Sequence, residues 1–468
     1  MVKLIISTLA EYQTRFWIEV GRELARQGRE AMFLSFDSRS NEMLRGAGLA
    51  FVDATASAQA AVLRDRNPLA ICRQFGVNNP SIWLTHEKFA FGVADSDRLL
   101  RKLAGAMLLA HDAIDSVAQR GPCAVVQELG GFLSVLGTHF AAKSCGAPSW
   151  FIEPSFFRGR LLFNEGSLAA TKLPGGAAAV PTAEMRRYLE ETTANNQIVI
   201  PQKDRHQYTS AFRKVVNRRN ARRLAEKLRD KHLLGKEQEF GHIGSHVTAH
   251  ARMIVASRQL ARHYTSPGEV GRFLYYPLHV PGDVALTLRS PEYLNQSALI
   301  DYLCRVAPLD LKIAVKEHPA MIGAMGARDL LDLKRRYDRF VILPPQTNNY
   351  DVLRRADAVV TVNSKSGAEA GLLGRRVLVL GDAFYRDAPF ARPVAGLADL
   401  ATAIEEVSRA DTAPPAPDAV ERYFAALWER TGPGELYVED PRNVSAFTAS
   451  LLEAAMPVHD MPTRAAAE

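Results

Sequence analysis

The sequence predicts an α/β protein made of two successive doubly wound domains, each a parallel sheet with helices on both faces. Three observations carry this reading. Short, almost unbroken apolar runs such as KLIIST, CAVVQ and VVTV alternate with stretches of helical length, the pattern of strands buried on both faces of a parallel sheet. The rhythm runs from residue 3 to 154 and resumes from 272 to 381. A chain of 468 residues also exceeds what one ordinary core fills.

The elements follow in order. KLIIST opens the first domain and leads into a helix through TRFWIEVGRELARQG, then the strands EAMFLSF and LAFVD around a short helix. A less regular stretch precedes the long helix SDRLLRKLAGAMLLAHDAIDSVAQRG, the strand CAVVQEL, the helix FLSVLGTHFAAKSCG and the strand PSWFIEP. The second domain repeats the scheme with RFLYYPLHV, the helix YLNQSALIDYLCRVA, LKIAVKEHP, a helix near 325–336, RFVILPP, a helix around YDVLRRA, DAVVTVNSKSG, the helix AEAGLLG and RVLVLG. ADTAPPAPDA reads as a linker to two further helices, VERYFAALWER and VSAFTASLLEAAM, and an Ala-rich tail expected to be disordered. The expected division is 1–200 for the first domain, 201–245 for a basic helical linker and 246–410 for the second domain. Residues 411–456 would form C-terminal helices packing back across the cleft, and 457–468 the tail.

Composition excludes several classes. No apolar run approaches the ~20 residues of a membrane span, and MVKLIISTLAEYQTRFW lacks a small-residue cleavage site, so it reads as a first strand and not a leader. Cys72, Cys123, Cys145 and Cys304 lie far apart with neither metal nor disulfide spacing, as expected of a reduced cytosolic chain. The net charge of +7 is concentrated in residues 202–236, which hold 12 Lys/Arg against 3 Asp/Glu. With the remainder near neutral, a general nucleic-acid role is disfavoured. Phe212, Val215, Val216, Leu224 and Leu228 recur there at helical spacing. Such a basic helix is either a solvated connector or a contact for an anionic membrane surface, which would make the chain peripheral at the inner face of the cytoplasmic membrane.

In open α/β sheets ligands bind beyond the carboxyl ends of the strands. Those ends in the second domain are polar: His279; then Lys316, Glu317 and His318 before Pro319; then Gln346, Asn348 and Asn349; then Asn363, Ser364, Lys365, Ser366 and Gly367. One polar strand end is a capped turn, whereas four together predict a ligand site. In TVNSKSGAEA, Ser364 or Ser366 can cap the following helix, Gly367 admits close backbone approach, and the free N–H groups suit a phosphate. Glu369, in the first turn, could accept from ribose hydroxyls. His318 and Lys316 opposite that turn could neutralise charge growing on a departing nucleotide. There is neither a G-x-G-x-x-G nor a P-loop pattern. From the first domain, Glu128 after CAVVQ and Glu153 after SWFI would face the same cleft, where one carboxylate suits a general base or nucleophile. Asp95 and Asp97 in ADSDR imitate a metal-binding D-x-D but read as the start of the long helix.

FLYYPLHVPGD, VKEHPAMIG, ADAVVTVNSKSGAEAGLLGRRVLVLGDAFY and FIEPSFFRGRLLFNEGSLAA resemble the capsule polysaccharide biosynthesis proteins, a family that includes bacterial β-Kdo transferases. The resemblance implies a GT-B fold and metal-independent transfer from a nucleotide-sugar, CMP-linked in the Kdo enzymes, to a lipid-linked or oligosaccharide acceptor, with no cofactor. It places His318 at the donor phosphate, Ser364 and Ser366 beside it, and Glu369 near the ribose. Two alternatives stand beside it: a CDP-polyol phosphotransferase of teichoic-acid type, with His279 as a second catalytic histidine, or a non-catalytic assembly or export subunit.

Overall fold

The computed structural model describes residues 2–173, 179–200, 202, 218–409 and 413–455. Phe212, Val215, Val216 and the tail 457–468 lie outside the described residues.

Two sheets organise the chain, numbered here by their strands. The first contains β1 (Lys3–Thr8), β2 (Ala31–Ser35), β3 (Phe51–Asp53), β4 (Cys123–Glu128), β5 (Ser149–Pro154), β6 (Arg160–Glu165) and the short β13 (Gly432–Pro433), in the order β13-β6-β5-β4-β1-β2-β3. The second contains β7 (Phe273–Pro277), β8 (Lys312–Lys316), β9 (Phe340–Leu343), β10 (Ala358–Thr361), β11 (Val377–Val379) and β12 (Ala391–Pro393), in the order β12-β11-β10-β7-β8-β9. All ladders are parallel except β5–β6 and β6–β13. This is the predicted α/β class, with two doubly wound sheets in the GT-B manner.

Period-2 alternation sorts each strand between two cores. In β1, Leu4 and Ile6 pack with Phe16, Trp17 and Phe447, while Ile5 packs with Ala106, Ile114 and Phe151 on the other face. In β7, Tyr275 joins Val359 and Phe424, whereas Leu274 and Tyr276 join Ile313 and Val360. The C-terminal helix Pro441–Ala455 returns to the first domain, setting Phe447 against Phe16 and Trp17 at ring distances of 4.9 and 5.5 Å. In the other direction, Phe156 and Phe157 from the turn between β5 and β6, and Met185 and Leu189 from the helix Ala183–Ala194, pack into the second core. The chain thus crosses between the domains repeatedly.

The structure adds elements that periodicity did not signal. The stretch read as irregular holds three short helices, Ala56–Leu63, Pro68–Gln74 and Ser81–Phe91. They are too short for a clear 3.6-residue pattern, and they bury Leu63, Ile71, Cys72 and Leu84 in a small satellite core against Leu103 and Met107. Strand β6, RLLFNE, is half polar and pairs antiparallel, so it lacks the signature of the other strands.

In both sheets the strand order reverses next to the first strand of the domain, between β1 and β4 and between β7 and β10. In open α/β sheets such a switch point is where ligands bind, beyond the carboxyl ends of the strands. Glu128 ends β4, and His279 and Asn363 follow β7 and β10, so predicted site residues stand at both.

Candidate functional site

At the second switch point the two loops are tied together. The Asn363 N–H donates to His279 Nε2 at 3.3 Å, and Asn363 Nδ2 donates to the Ala285 carbonyl at 2.6 Å. Gln296 fixes the His279 backbone on both sides, accepting from its N–H at 2.8 Å and donating to its carbonyl at 3.0 Å. Burial pushes the His279 imidazole down to about 4, so it is uncharged at neutral pH and orients Asn363 instead of opposing an anion's charge.

β8 supplies the next groups, and the alternation of the strand divides them. Lys316 is buried beside Glu369, and burial pulls its ammonium down to about 8 despite that carboxylate. Glu317 points the other way: its Oε1 accepts from the Gly323 N–H at 3.0 Å, and burial raises its carboxyl to about 7. Glu317 therefore shapes the loop 319–326 and stands apart from its two neighbours. His318 caps the short turn Pro319–Met321, its Nδ1 accepting from Ala320 N–H at 3.2 Å. That bond puts the neutral imidazole's proton on Nε2, a donor suited to a phosphate oxygen.

Ser364 is the N-cap of the helix Lys365–Leu372, its Oγ accepting from Ser366 N–H at 3.2 Å. Asn349 then cross-links the turn, donating to Ser366 Oγ at 3.0 Å and to Glu369 Oε2 at 2.5 Å while accepting from the Tyr275 hydroxyl at 3.0 Å. Glu369 is 7% exposed, and burial raises its carboxyl against the pull of Asn349, Lys316 and Lys365. Its observed partner is Asn349, inside the domain. Gly367 also has a different explanation from the one its sequence suggested. A side chain there would collide with the ring of Tyr385, whose hydroxyl donates to the Ser364 carbonyl. The glycine makes room for a buried tyrosine that braces the turn from behind.

The two first-domain carboxylates are both engaged. Glu128 Oε2 accepts from Gln13 Nε2 at 3.1 Å and from the Tyr437 hydroxyl at 2.5 Å. Glu153 is gripped across the domain boundary by Arg289, whose guanidinium donates to Oε2 at 3.1 Å and to Oε1 at 2.8 Å, with Asn164 Nδ2 also on Oε1 at 2.8 Å. Arg289 further donates to the carbonyls of Leu168 and Ala169. Lys365 reaches over from the Ser364 turn to the Ser155 carbonyl at 2.7 Å. Sequence reasoning missed Arg289, Gln296 and Tyr385; each acts through a distant partner that no local motif reveals. Asp95 caps the helix Ser96–Ala118 through Arg98 N–H at 3.0 Å, and no cluster of three metal-ligating side chains occurs among the described residues.

The profile of a family described as "Capsule polysaccharide biosynthesis protein" matches residues 136–413, more than half of the chain. The chain belongs to this family. The match begins inside the first domain and takes in the whole of the second sheet. Protein FixF of Sinorhizobium fredii is 29% identical over 133 residues, 28% of this chain and 32% of its own length, so the chain spans about a third of that curated relative. Among solved structures, KpsC of Thermosulfurimonas dismutans, a beta Kdo 2,7 transferase, is 16% identical, covering 72% of this chain and 89% of that one with a TM-score of 0.36. HepE of Anabaena, in complex with UDP and glucose, is 12% identical, covering 97% and 99% with a TM-score of 0.32.

The buried Glu317 generates a pH prediction. Its folded carboxyl, at about 7, lies above the ordinary value of 4.5. A raised value favours the protonated form, so this contribution to stability is complete below pH 4.5 and is lost as pH rises through 7. Glu317→Gln is expected to be more stable than the wild type above pH 7, with the advantage shrinking by up to about 1.4 kcal/mol per unit as pH falls through that window. Denaturant melts between pH 4.5 and 8 check it; a difference independent of pH would count against it.

Proposed function

We propose that this capsule-family protein is a metal-independent glycosyltransferase. In this reading a nucleotide-sugar, CMP-Kdo being the leading candidate, binds at the ends of β7, β8 and β10, and a lipid-linked or oligosaccharide acceptor binds on the first domain. The observation that carries it is the placement of Lys316 and His318 at the end of β8 and of the Ser364-capped helix start after β10, on either side of β7 and beside the strand-order reversal of the second sheet. Backbone N–H groups at the helix start and the Nε2–H of His318 supply donors for a phosphate, and Lys316 supplies charge. These interactions strengthen as the nucleotide departs, which directs them to the transition state. No metal is needed in this scheme, because protein cations and N–H donors meet the phosphate charge and Asp95 is occupied as a cap.

Glu128 is the better placed of the two candidate bases. It stands at the switch point of the first sheet, where Gln13 and the Tyr437 hydroxyl donate to it. For Glu153 to act on an acceptor hydroxyl it would first have to leave Arg289. The teichoic-type alternative, with His279 as a second catalytic histidine, is weakened by that residue's burial and its bond from Asn363.

Calorimetry with CMP, UDP and CDP, with and without EDTA, tests the donor half. Binding of one nucleotide that persists in EDTA is expected, and binding abolished by EDTA would reject metal independence. With the donor so identified, His318→Ala is expected to lower kcat by roughly 10- to 150-fold, the worth of one charge-assisted hydrogen bond. A change confined to KM would make His318 a ground-state contact only.

Membrane attachment is proposed at one end of the helix Arg218–His232. No helix among the described residues is long and apolar enough to cross a membrane. Leu233 and Leu234 are 78% and 52% exposed beside Arg229, Lys231 and Lys236, an apolar tip in a basic collar suited to an anionic leaflet. Leu233→Ser with Leu234→Ser is expected to reduce co-sedimentation with phosphatidylglycerol vesicles at low salt. Unchanged sedimentation would leave the segment a connector.

A further inference from the structure

Between its last two helices, Pro417–Glu429 and Pro441–Ala455, the chain passes from the second core to the first. That crossing carries Tyr437 at a φ of 65°, in the left-handed region. Gly and Asn enter this region readily, whereas a bulky side chain there is an outlier. A connection that only had to turn would use one of those two residues. An aromatic residue held in a costly backbone conformation points to a use for its side chain.

The neighbours of Tyr437 hold that conformation in place. Leu436 is buried in the first core with Phe447. Asn443 brackets the bend: its Oδ1 accepts from the Glu435 N–H at 2.7 Å, and its Nδ2 donates to the carbonyls of Glu435 and Val438 at 2.9 and 2.8 Å. The ring stands edge-on to Tyr12 and Phe16, with centroids 5.2 and 5.8 Å away. Both belong to the helix Glu11–Arg26, which also supplies Gln13. The phenol and the Gln13 amide then meet on one atom, Oε2 of Glu128, at 2.5 and 3.1 Å. Burial first, and the adjacent Glu128 and Tyr12 after it, push the Tyr437 phenol well above its ordinary value. The hydroxyl therefore stays protonated and serves Glu128 as a donor.

We infer that Tyr437 is a positioning residue for Glu128, and that the crossing segment 434–438 is built to present its hydroxyl to that carboxylate. The inference rests on the transferase reading above, in which Glu128 takes the proton of the acceptor hydroxyl. As that oxygen bonds to the anomeric carbon, the bond from the carbon to the phosphate oxygen breaks and its electron pair leaves with the nucleotide. A donor fixed on Oε2 holds a carboxylate in one orientation and favours its charged form, the form able to take a proton. Because the phenol arrives with the C-terminal segment, the base is complete only when that segment is docked on the first domain.

The test compares Tyr437→Phe, Asn443→Ala and Glu128→Gln with the wild type in the full chain. Tyr437→Phe keeps the ring and removes the hydroxyl. With glutamate labelled at its carboxyl carbon, the NMR signal that Glu128→Gln lacks belongs to Glu128, and Tyr437→Phe is expected to displace it. Turnover is read as nucleotide released from CMP-Kdo or UDP-glucose, whichever nucleotide binds, with water as acceptor. Tyr437→Phe is expected to lower kcat about tenfold or more with the donor KM unchanged, and Asn443→Ala to do the same to a smaller degree. Asn443→Ala also carries the test if Tyr437→Phe does not fold. A Glu128 signal unmoved by Tyr437→Phe, or full kcat in Tyr437→Phe where Glu128→Gln has lost it, would overturn the inference. Full kcat in Glu128→Gln, or no turnover by the wild type, would instead count against the transferase reading, because the carboxyl signal is measured without substrate.

Discussion

Two α/β domains make a single cleft only if their strand ends are held at a fixed separation, and here one guanidinium does much of that work. Arg289, from the loop after β7, engages both oxygens of Glu153 at the end of β5 and two carbonyls of the segment that follows β6. Lys365 adds a second tie from the Ser364 turn to the Ser155 carbonyl, and Asp382 a third, accepting from Ala170 N–H and pairing with Lys172 at 2.7 Å. All three ties join the second domain to residues 153–172. The Glu153 and Arg289 side chains are 17% and 11% exposed, and a pair buried to that degree contributes orientation more than net stability, since desolvation offsets much of the attraction. Its geometry fixes where the Ser364 turn stands relative to the first sheet.

That constraint separates the two candidate bases. A carboxylate in a bidentate pair has its lone pairs committed, so Glu153 belongs to the framework in this conformation. Glu128 accepts from the amide of Gln13 and the phenol of Tyr437. Tyr437 arrives from the C-terminal segment, which is anchored by Phe447 against Phe16 and Trp17. The C-terminal helix thereby contributes to the site while remaining far from it in sequence.

The fold was legible because apolar runs in parallel sheets carry their own signature, and nearly every such run became a strand. The polar strand ends were legible for the same reason: Lys316, His318 and Ser364 interrupt runs that otherwise bury completely. What the sequence hid were directions and partners. Glu317 and Glu369 looked like ligand groups because they sit in polar motifs, but strand alternation and helix phase turn them inward to Gly323 and Asn349. Gly367 looked like a phosphate-approach glycine, whereas Tyr385, eighteen positions later, occupies the space. The basic segment read as one surface; folded, its helix turns Asp230 in to Arg39 of the first domain and is followed by the exposed Leu233 and Leu234. Such assignments depend on tertiary contacts that no local pattern encodes.

The most direct test of the account is a double-mutant cycle on Glu153 and Arg289, read by chemical denaturation of Glu153→Gln, Arg289→Met and the double variant. Each single change strands a partly buried charge, so each is expected to cost several kcal/mol, on the order of the 3–5 kcal/mol of a broken buried pair. The double variant should cost much less than their sum, with a coupling of at least ~1.5 kcal/mol. Additive losses, or a Glu153→Gln variant as stable as the wild type, would contradict the claim that this pair sets the geometry between the domains.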